Sequence, residues 1–483
     1  MNNTQKAVKG VSYQTITTLL SGIIDIVTFS AMSRLLTKED FGYYAVISAV
    51  VIVFSSFSET GIGAAIIQRK EIDKKFINNA FTLSLLIGVA ISVLLLGLSS
   101  ILARTIADES MKWPLMLMSI TLLLNCMTSV NISIMYRRLQ FLRVGVINLI
   151  SLLLTSVIAV TMAYLGMGYY AILAKAILVA VFTCALSSLY CKTRYGLTLD
   201  RESINSIFRF SGWLMASVVF RNIAQQVDRL LMPKLLGVAQ LGAYNRPKDF
   251  VNTISSKLNN IFDTALFPVL SSLQDNKNSL KNAFEKSFYL LNLFSSLLSL
   301  GFIVNSELII RLFFGVDWLH LQSVLCLFAL SILFNVDGRL ADCYLRSLAM
   351  TKQQFYFRVV ETVMKVLCVV IGSYWGMVGV AIAVVLADIA MKIVKTGYVA
   401  WKIDYCMASL IRTFLHSWKF LLVMVPCGIL ILQLFPHNLL GNILALLLFL
   451  IAVAVLFLRF PIMVGRQYKE EVFQKVLKTI HKR

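Results

Sequence analysis

Apolar residues fill the chain in runs of about 20, which is the length that a helix needs to cross the hydrocarbon core of a membrane. Short polar segments separate these runs, so the pattern predicts about 14 transmembrane helices. The runs are centred near residues 22, 52, 92, 125, 154, 180, 222, 257, 295, 327, 365, 388, 426 and 449. We therefore expect an all-α polytopic membrane protein.

Composition and charge support this prediction. Of the 483 residues, 58% are hydrophobic and only 14% are charged, whereas soluble domains are about half apolar and a quarter charged. The 45 Lys and Arg residues outnumber the 24 Asp and Glu residues, which gives a formal net charge of +21. The Lys and Arg residues are concentrated in alternate connections, beginning with the amino-terminal segment. The positive-inside rule then predicts that both termini are cytoplasmic. Topology and contact with anionic membrane lipids explain the net charge, so no nucleic-acid partner is implied.

Two echoes within the chain indicate an internal repeat. RLLTKEDFGYY at residues 34–44 returns as KLLGVAQLGAY at residues 234–244, and YLGMGYYAI at 164–172 returns as YWGMVGVAI at 374–382. Because the echoes keep their order, they predict two parallel six-helix lobes. We place an N-terminal lobe at residues 1–205 and a C-terminal lobe at 206–405. A final helix pair and a basic cytoplasmic tail take residues 406–483.

Polar residues form stripes on the first two crossings of each predicted lobe, at the three- and four-residue spacing of one helix face. An unpaired charge in hydrocarbon costs at least ~2.5–3.5 kcal/mol, so these stripes predict faces that surround a water-filled cavity. Hydrogen bonds between packed helices, and an ion pair of Arg221 or Arg229 with Asp228, are the structural alternatives. The polar positions on these crossings include Gln14, Ser21, Asp25, Tyr44, Glu59, Arg221, Gln225, Asp228, Arg229, Asn252, Lys257, Asn259 and Asp263.

Other membrane-embedded charges rank below these stripes. Lys175 lies in the sixth crossing, and Lys365 lies in the eleventh, one helical turn after Glu361. That spacing predicts an ion pair between Glu361 and Lys365.

Catalytic and cofactor chemistry has no visible place in the sequence. It contains no phosphate-binding lysine loop, no dinucleotide-binding glycine fingerprint and no paired Cys or His sites, so we expect no catalytic residue, cofactor or metal. The eight cysteines are interpreted as small membrane hydrophobes. A membrane-embedded polysaccharide polymerase would need a sizeable external loop, and the predicted outward connections are short.

Four stretches carry a family resemblance: FGYYAV, TGIGAAIIQRKEI, IFDTALFPVLSSLQD and LFFGVDW. With the two predicted lobes, they resemble the bacterial polysaccharide exporters, which are lipid-linked oligosaccharide flippases of the O-antigen, colanic-acid and teichuronic-acid type. These belong to the multidrug/oligosaccharidyl-lipid/polysaccharide exporter superfamily. The resemblance implies a V-shaped central cavity, alternating access and a place in the bacterial cytoplasmic membrane. It also implies an undecaprenyl-diphosphate-linked oligosaccharide as substrate, with a polysaccharide polymerase and chain-length machinery as partners.

The resemblance also suggests roles for the polar stripes. Arg221, Arg229 and Lys257 become diphosphate contacts, since guanidinium groups donate forked hydrogen bonds to phosphate oxygens. Asp25, Asp228 and Asp263 become coupling-ion ligands or counter-ions. These carboxylates leave open a cation-coupled multidrug exporter of the same superfamily, and a polymerase is a less favoured alternative. Sugar-binding or cavity-lining roles fall to Gln14, Ser21, Tyr44, Gln225, Asn252 and Asn259.

Overall fold

The computed structural model describes residues 3–57, 62–68, 73–193, 195–198, 200–272, 277–348 and 350–415. All regular elements in these ranges are helical. The predicted last two crossings and the basic tail lie outside the described residues. The helices are α1 (Asn3–Leu35), α2 (Lys38–Ser55), α3 (Ile62–Gln68), α4 (Lys74–Ile106), α5 (Lys112–Arg137), α6 (Phe141–Tyr164), α7 (Tyr170–Cys191), α8 (Arg201–Leu236), α9 (Val238–Ser272), α10 (Lys277–Val304), α11 (Ser306–Ile309), α12 (Gln322–Ser347), α13 (Thr351–Ser373) and α14 (Gly376–Lys402).

The centres of the first twelve predicted crossings each fall in a separate long helix. In the described part of the chain, 8 helical segments are long and apolar enough to cross a membrane, and they include α1, α4, α5, α6, α7, α10, α12 and α14. The remaining long helices, α2, α8, α9 and α13, are not among these eight segments. The chain is thus an all-α polytopic membrane protein.

The helices group into two compact units. In the first unit α4 packs on α5, α1 on α6, and α7 on both α5 and α6, while α8 packs between α2 and α13. In the second unit α10 packs on α12. The predicted lobe boundaries at residues 205 and 405 stay a prediction. The first unit comprises Met1–Lys257 and Thr351–Val384, and the second comprises Leu258–Met350 and Val385–Arg483.

Local chemistry fixes the two sharp turns that lead into α2 and α9. The Thr37 side chain accepts a hydrogen bond from the Asp40 amide (3.2 Å), and the Asp40 carboxylate accepts one from the Thr37 amide (3.0 Å), which forms a capping box at the start of α2. Only Gly237 separates α8 from α9, and its φ of +92° lies in the region that favours glycine. Only one or two residues therefore connect the helices of each pair.

The connection between α4 and α5 is held by Asp108, outside the membrane-spanning segments. Burial raises the pKa of this carboxyl, but hydrogen bonds from Ser110 and Tyr43 outweigh it, so the pKa lies below its ordinary value. The Tyr43 hydroxyl donates to Asp108 at 3.0 Å, and the Tyr43 ring stacks on Tyr169, which precedes α7. These contacts fix α2 against the connections at that end of the helices.

Candidate functional site

The first unit contains a cavity of about 410 Å³, a volume within the range of about 300–1,000 Å³ that is usual for ligand pockets. Residues of α1, α2, α6, α7 and α9 line it. On α9 the lining positions are 246, 249, 250, 253 and 254, and on α7 they are 172, 175, 176 and 179. Both sets follow the spacing of one helix face, so each helix turns a continuous stripe toward the cavity.

Four charged side chains line this cavity: Lys175, Arg246, Asp25 and Asp249. Most of the other lining side chains are aliphatic or aromatic. Ionisable residues inside membrane-spanning segments are costly and usually mark a substrate or ion path. The arrangement can therefore hold a ligand that is partly charged and partly apolar.

Arg246 is fixed against α1 and α2 by two aromatic rings and by hydrogen bonds. The guanidinium carbon lies 3.3 Å from the ring centre of Phe29 and 3.9 Å from that of Phe41. Nη2 donates to the Phe29 carbonyl oxygen at 2.6 Å, and Nε donates to the Ser33 hydroxyl at 3.1 Å. With cation–π contacts and charge-assisted hydrogen bonds together, this one side chain joins α9 to both α1 and α2.

Two ion pairs join α8 to α9 beside the cavity. The Arg229 guanidinium pairs with the Asp249 carboxylate, and Lys248 pairs with Asp228. Asp228 also accepts a hydrogen bond from the Tyr244 hydroxyl at 2.6 Å. The Asp249 side chain is 34% exposed and that of Arg229 only 11%, so the carboxylate faces the cavity and the guanidinium lies behind it. Asp228 thus forms an ion pair with Lys248 on α9, and its role in transport stays a prediction.

Of the residues predicted from sequence, Asp25 and Tyr44 line the cavity. Ser21 is half-buried, and its hydroxyl donates to the backbone of its own helix at 2.8 Å. Gln225 and Asn252 are exposed. Ser21, Gln225 and Asn252 are therefore not among the residues that form this cavity.

Arg221 lies half-buried on α8 and is also absent from the cavity lining. Its Nε lies 3.4 Å from the side-chain oxygen of Asn222, whose amide nitrogen donates to Ser56 at the end of α2 at 2.8 Å. Asn222, the sequence neighbour of Arg221, thus lies where α8 packs on α2. The remaining predicted side chains lie outside those the structure describes, and their roles stay predictions: Gln14, Glu59, Lys257, Asn259 and Asp263.

Arg246 and Lys248 were not among the polar positions that the sequence singled out for the cavity. Both residues lie inside α9, and Arg246 is buried. The three- and four-residue spacing of Arg246, Asp249 and Thr253 is the signal that could have revealed Arg246. Lys175 was recognised as membrane-embedded but ranked below the arginines of α8.

Helix α13 carries a third buried charge cluster, and α13 packs on α8. The Glu361 carboxylate lies 3.5 Å from Lys365 and 2.8 Å from Arg358. The predicted pair of Glu361 and Lys365 is thereby confirmed. Among the described residues, no group of three or more His, Cys, Asp or Glu side chains could hold a metal ion.

Two proteins of known biosynthetic context resemble this chain along most of its length. Lipopolysaccharide biosynthesis protein WzxC of Escherichia coli (strain K12) is 24% identical over 398 residues, which are 82% of this chain and 80% of that protein. Succinoglycan biosynthesis transport protein ExoT of Rhizobium meliloti (strain 1021) is 24% identical over 388 residues, 79% of this chain and 77% of that protein.

Solved structures share the fold. Lipid II flippase MurJ in an inward closed conformation matches with a TM-score of 0.71 and 17% identity, over 92% of this chain and 98% of that one. An inward-facing multidrug resistance MATE transporter of the MOP superfamily matches with a TM-score of 0.64 and 16% identity, over 82% of this chain and 98% of that one. The family model described as "Polysaccharide biosynthesis protein" matches residues 31–323, which is more than half of the sequence. The chain therefore belongs to the polysaccharide biosynthesis protein family.

Proposed function

We propose that the chain flips an undecaprenyl-diphosphate-linked oligosaccharide repeat unit across the bacterial cytoplasmic membrane by alternating access. Both of its termini would face the cytoplasm, as the positive-inside rule predicts. The observation that carries the proposal is the charged cavity enclosed by apolar helices. Relatives in lipopolysaccharide biosynthesis and succinoglycan transport, and a fold shared with a lipid II flippase, support it.

The charges of the cavity suit an anionic headgroup. Lys175 and Arg246 line the cavity with Asp25 and Asp249, and Arg229 behind Asp249 adds a further cation. A diphosphate cannot cross hydrocarbon unaided, because burying an unpaired charge is costly. Cations in the cavity would offset that cost, and the prenyl chain would remain in the lipid. No catalytic step is needed for such a transfer.

Within the site, we assign the first diphosphate contact to Lys175, which stands on the α7 wall of the cavity. Arg229 would become a second contact if the ligand's phosphate displaced Asp249 from it, because both anions compete for the same guanidinium. Arg221 and Lys257 would act at another stage of the passage. Tyr44 would meet sugar hydroxyls.

Lys175→Ala tests this assignment in a strain whose chromosomal copy is deleted. The variant should accumulate normally in the membrane and lose surface polysaccharide, because the headgroup loses its cation. Lys175→Arg should retain part of the function. Lys112→Ala, at an exposed position at the start of α5, is the matched control and should restore full surface polysaccharide. Full polysaccharide with Lys175→Ala would remove Lys175 from the site.

A cation-coupled multidrug exporter is the second candidate, and the two carboxylates in the cavity wall favour it. Such an exporter would use Asp25 and Asp249 to bind a cationic drug or a coupling ion. Deletion of the gene separates the two functions. Loss of surface polysaccharide with unchanged drug sensitivity supports the flippase, whereas increased drug sensitivity with intact polysaccharide supports the exporter.

A further inference from the structure

Gly42 on α2 and Gly242 on α9 are counterparts in the internal repeat, and they meet where these two helices cross. A Cβ atom on Gly42 would lie 2.1 Å from the carbonyl oxygen of Val238, and one on Gly242 would lie 1.8 Å from that of Lys38. Lys38 and Val238 are themselves 200 positions apart, as the glycines are. The contact is therefore reciprocal, like the contact across a two-fold axis.

This crossing lies at the end of the cavity where α1 turns into α2 and α8 into α9. On α2, the cavity-lining residues Phe41 and Tyr44 lie on either side of Gly42 in the sequence. On α9, the lining residues Arg246 and Asp249 lie one and two helical turns after Gly242. The clashing atoms are backbone carbonyl oxygens, which cannot rotate away as a side chain can. The two helices can thus approach this closely only while both positions lack a side chain.

We propose that the crossing of Gly42 and Gly242, held by Arg246, is a closed gate at the outer end of the cavity. The proposal rests on the alternating access and the orientation given under the proposed function. Opening requires α2 to part from α9, and Arg246 must then lose its contact with the Phe41 ring on α2. Arg246 is accordingly a positioning residue that holds the closed state, and Lys175 contacts the substrate.

The gate is tested by measuring access to the cavity from outside without any substrate. Thr253→Cys on the cavity wall, in a background without other cysteines, reports access to a membrane-impermeant maleimide in right-side-out vesicles. Gly42→Ala and Gly242→Ala should each raise the labelling rate at least about fivefold, because overpacking of this size shifts a two-state equilibrium by that much or more. Gly97→Ala on α4, where nothing lies within 4 Å of an added Cβ, should leave the rate unchanged.

Helix propensity alone would make all three alanine variants more stable, so faster labelling confined to Gly42→Ala and Gly242→Ala has to come from the crossing. Labelling equal to that of Gly97→Ala would overturn the proposal. If the glycine variants fail to accumulate in the membrane, Arg246→Lys tests the gate instead. Lysine keeps the positive charge but cannot make both hydrogen bonds of the guanidinium group to Phe29 and Ser33, so labelling of Thr253→Cys should also be faster. A labelling rate with Arg246→Lys equal to that of the chain with Arg246 would then overturn the gate. Because no substrate is present, this result stands apart from the Lys175 test.

Discussion

At the residue scale, two charges that the sequence places inside a membrane crossing, Asp228 and Arg229 on α8, are paired with residues of α9. Asp228 and Arg229 are neighbours in sequence, but successive helix positions point about 100° apart and cannot face each other. Each therefore pairs with a different residue of α9, Asp228 with Lys248 and Arg229 with Asp249. The sequence could show that these charges need partners, but the partners depend on how α8 and α9 are rotated toward each other.

Asp228→Ala should destabilise the protein, because it leaves Lys248 buried without its carboxylate. Removing one partner of a buried pair costs about 3–5 kcal/mol, and the side chains of Asp228 and Lys248 are only 4% and 14% exposed. The thermal midpoint of the detergent-solubilised protein measures the loss. Glu109→Ala breaks an exposed ion pair, in which the side chain of Arg104 is 71% exposed and that of Glu109 is 68% exposed. This substitution should cost at most about 1 kcal/mol.

The double variant Asp228→Leu with Lys248→Met separates the pair itself from the buried charge that a single substitution leaves behind. Replacing both partners by apolar residues of similar size is often neutral. We expect its thermal midpoint to lie between those of Asp228→Ala and the unaltered chain, because the buried Tyr244 hydroxyl still loses its acceptor. A midpoint as low as that of Asp228→Ala would show that Asp228 acts through contacts other than Lys248.

At the element scale, apolar run length was enough to place the helices, because each long run needs its backbone hydrogen bonds satisfied within one helix. Hydropathy is weaker for α8, α9 and α13, whose charged side chains are buried among one another. The repeat adds information that hydropathy lacks. Gly166 and Gly376, matched by the second echo, both adopt positive φ, at +80° and +70°, just before α7 and at the start of α14.

Gly237→Ala should lower stability through the backbone alone. Its φ of +92° is unfavourable for a residue with a Cβ, while nothing lies within 4 Å of the added atom. A cost of about 1–2 kcal/mol is expected, read as a lower thermal midpoint, and Gly237→Asn should lose less because asparagine tolerates this region better. An unchanged midpoint for Gly237→Ala would mean that the turn between α8 and α9 relaxes without cost.

At the scale of the whole molecule, the sequence predicted the class of protein better than it predicted the site. Composition and the repeated stretches identified a polytopic transporter-like chain, and the family match agrees. The cavity was harder to foresee, since it combines residues from α1, α2, α6, α7 and α9 that are distant in sequence. Arg246 in particular resembles a loop cation until α9 is known to begin at Val238.

The location of stalled intermediates tests the function of the whole chain. If it flips lipid-linked repeat units, its deletion should leave single units on the cytoplasmic face of the membrane, because their diphosphate cannot pass the hydrocarbon without a charged cavity. Radiolabelled sugar lipids in inside-out and right-side-out vesicles, treated with a membrane-impermeant sugar oxidant, would show which face carries them. Single units that reach the outer face and stay unpolymerised would instead indicate a lost polymerase. Deletion of a glycosyltransferase that acts earlier serves as the control, since no complete unit should then form on either face.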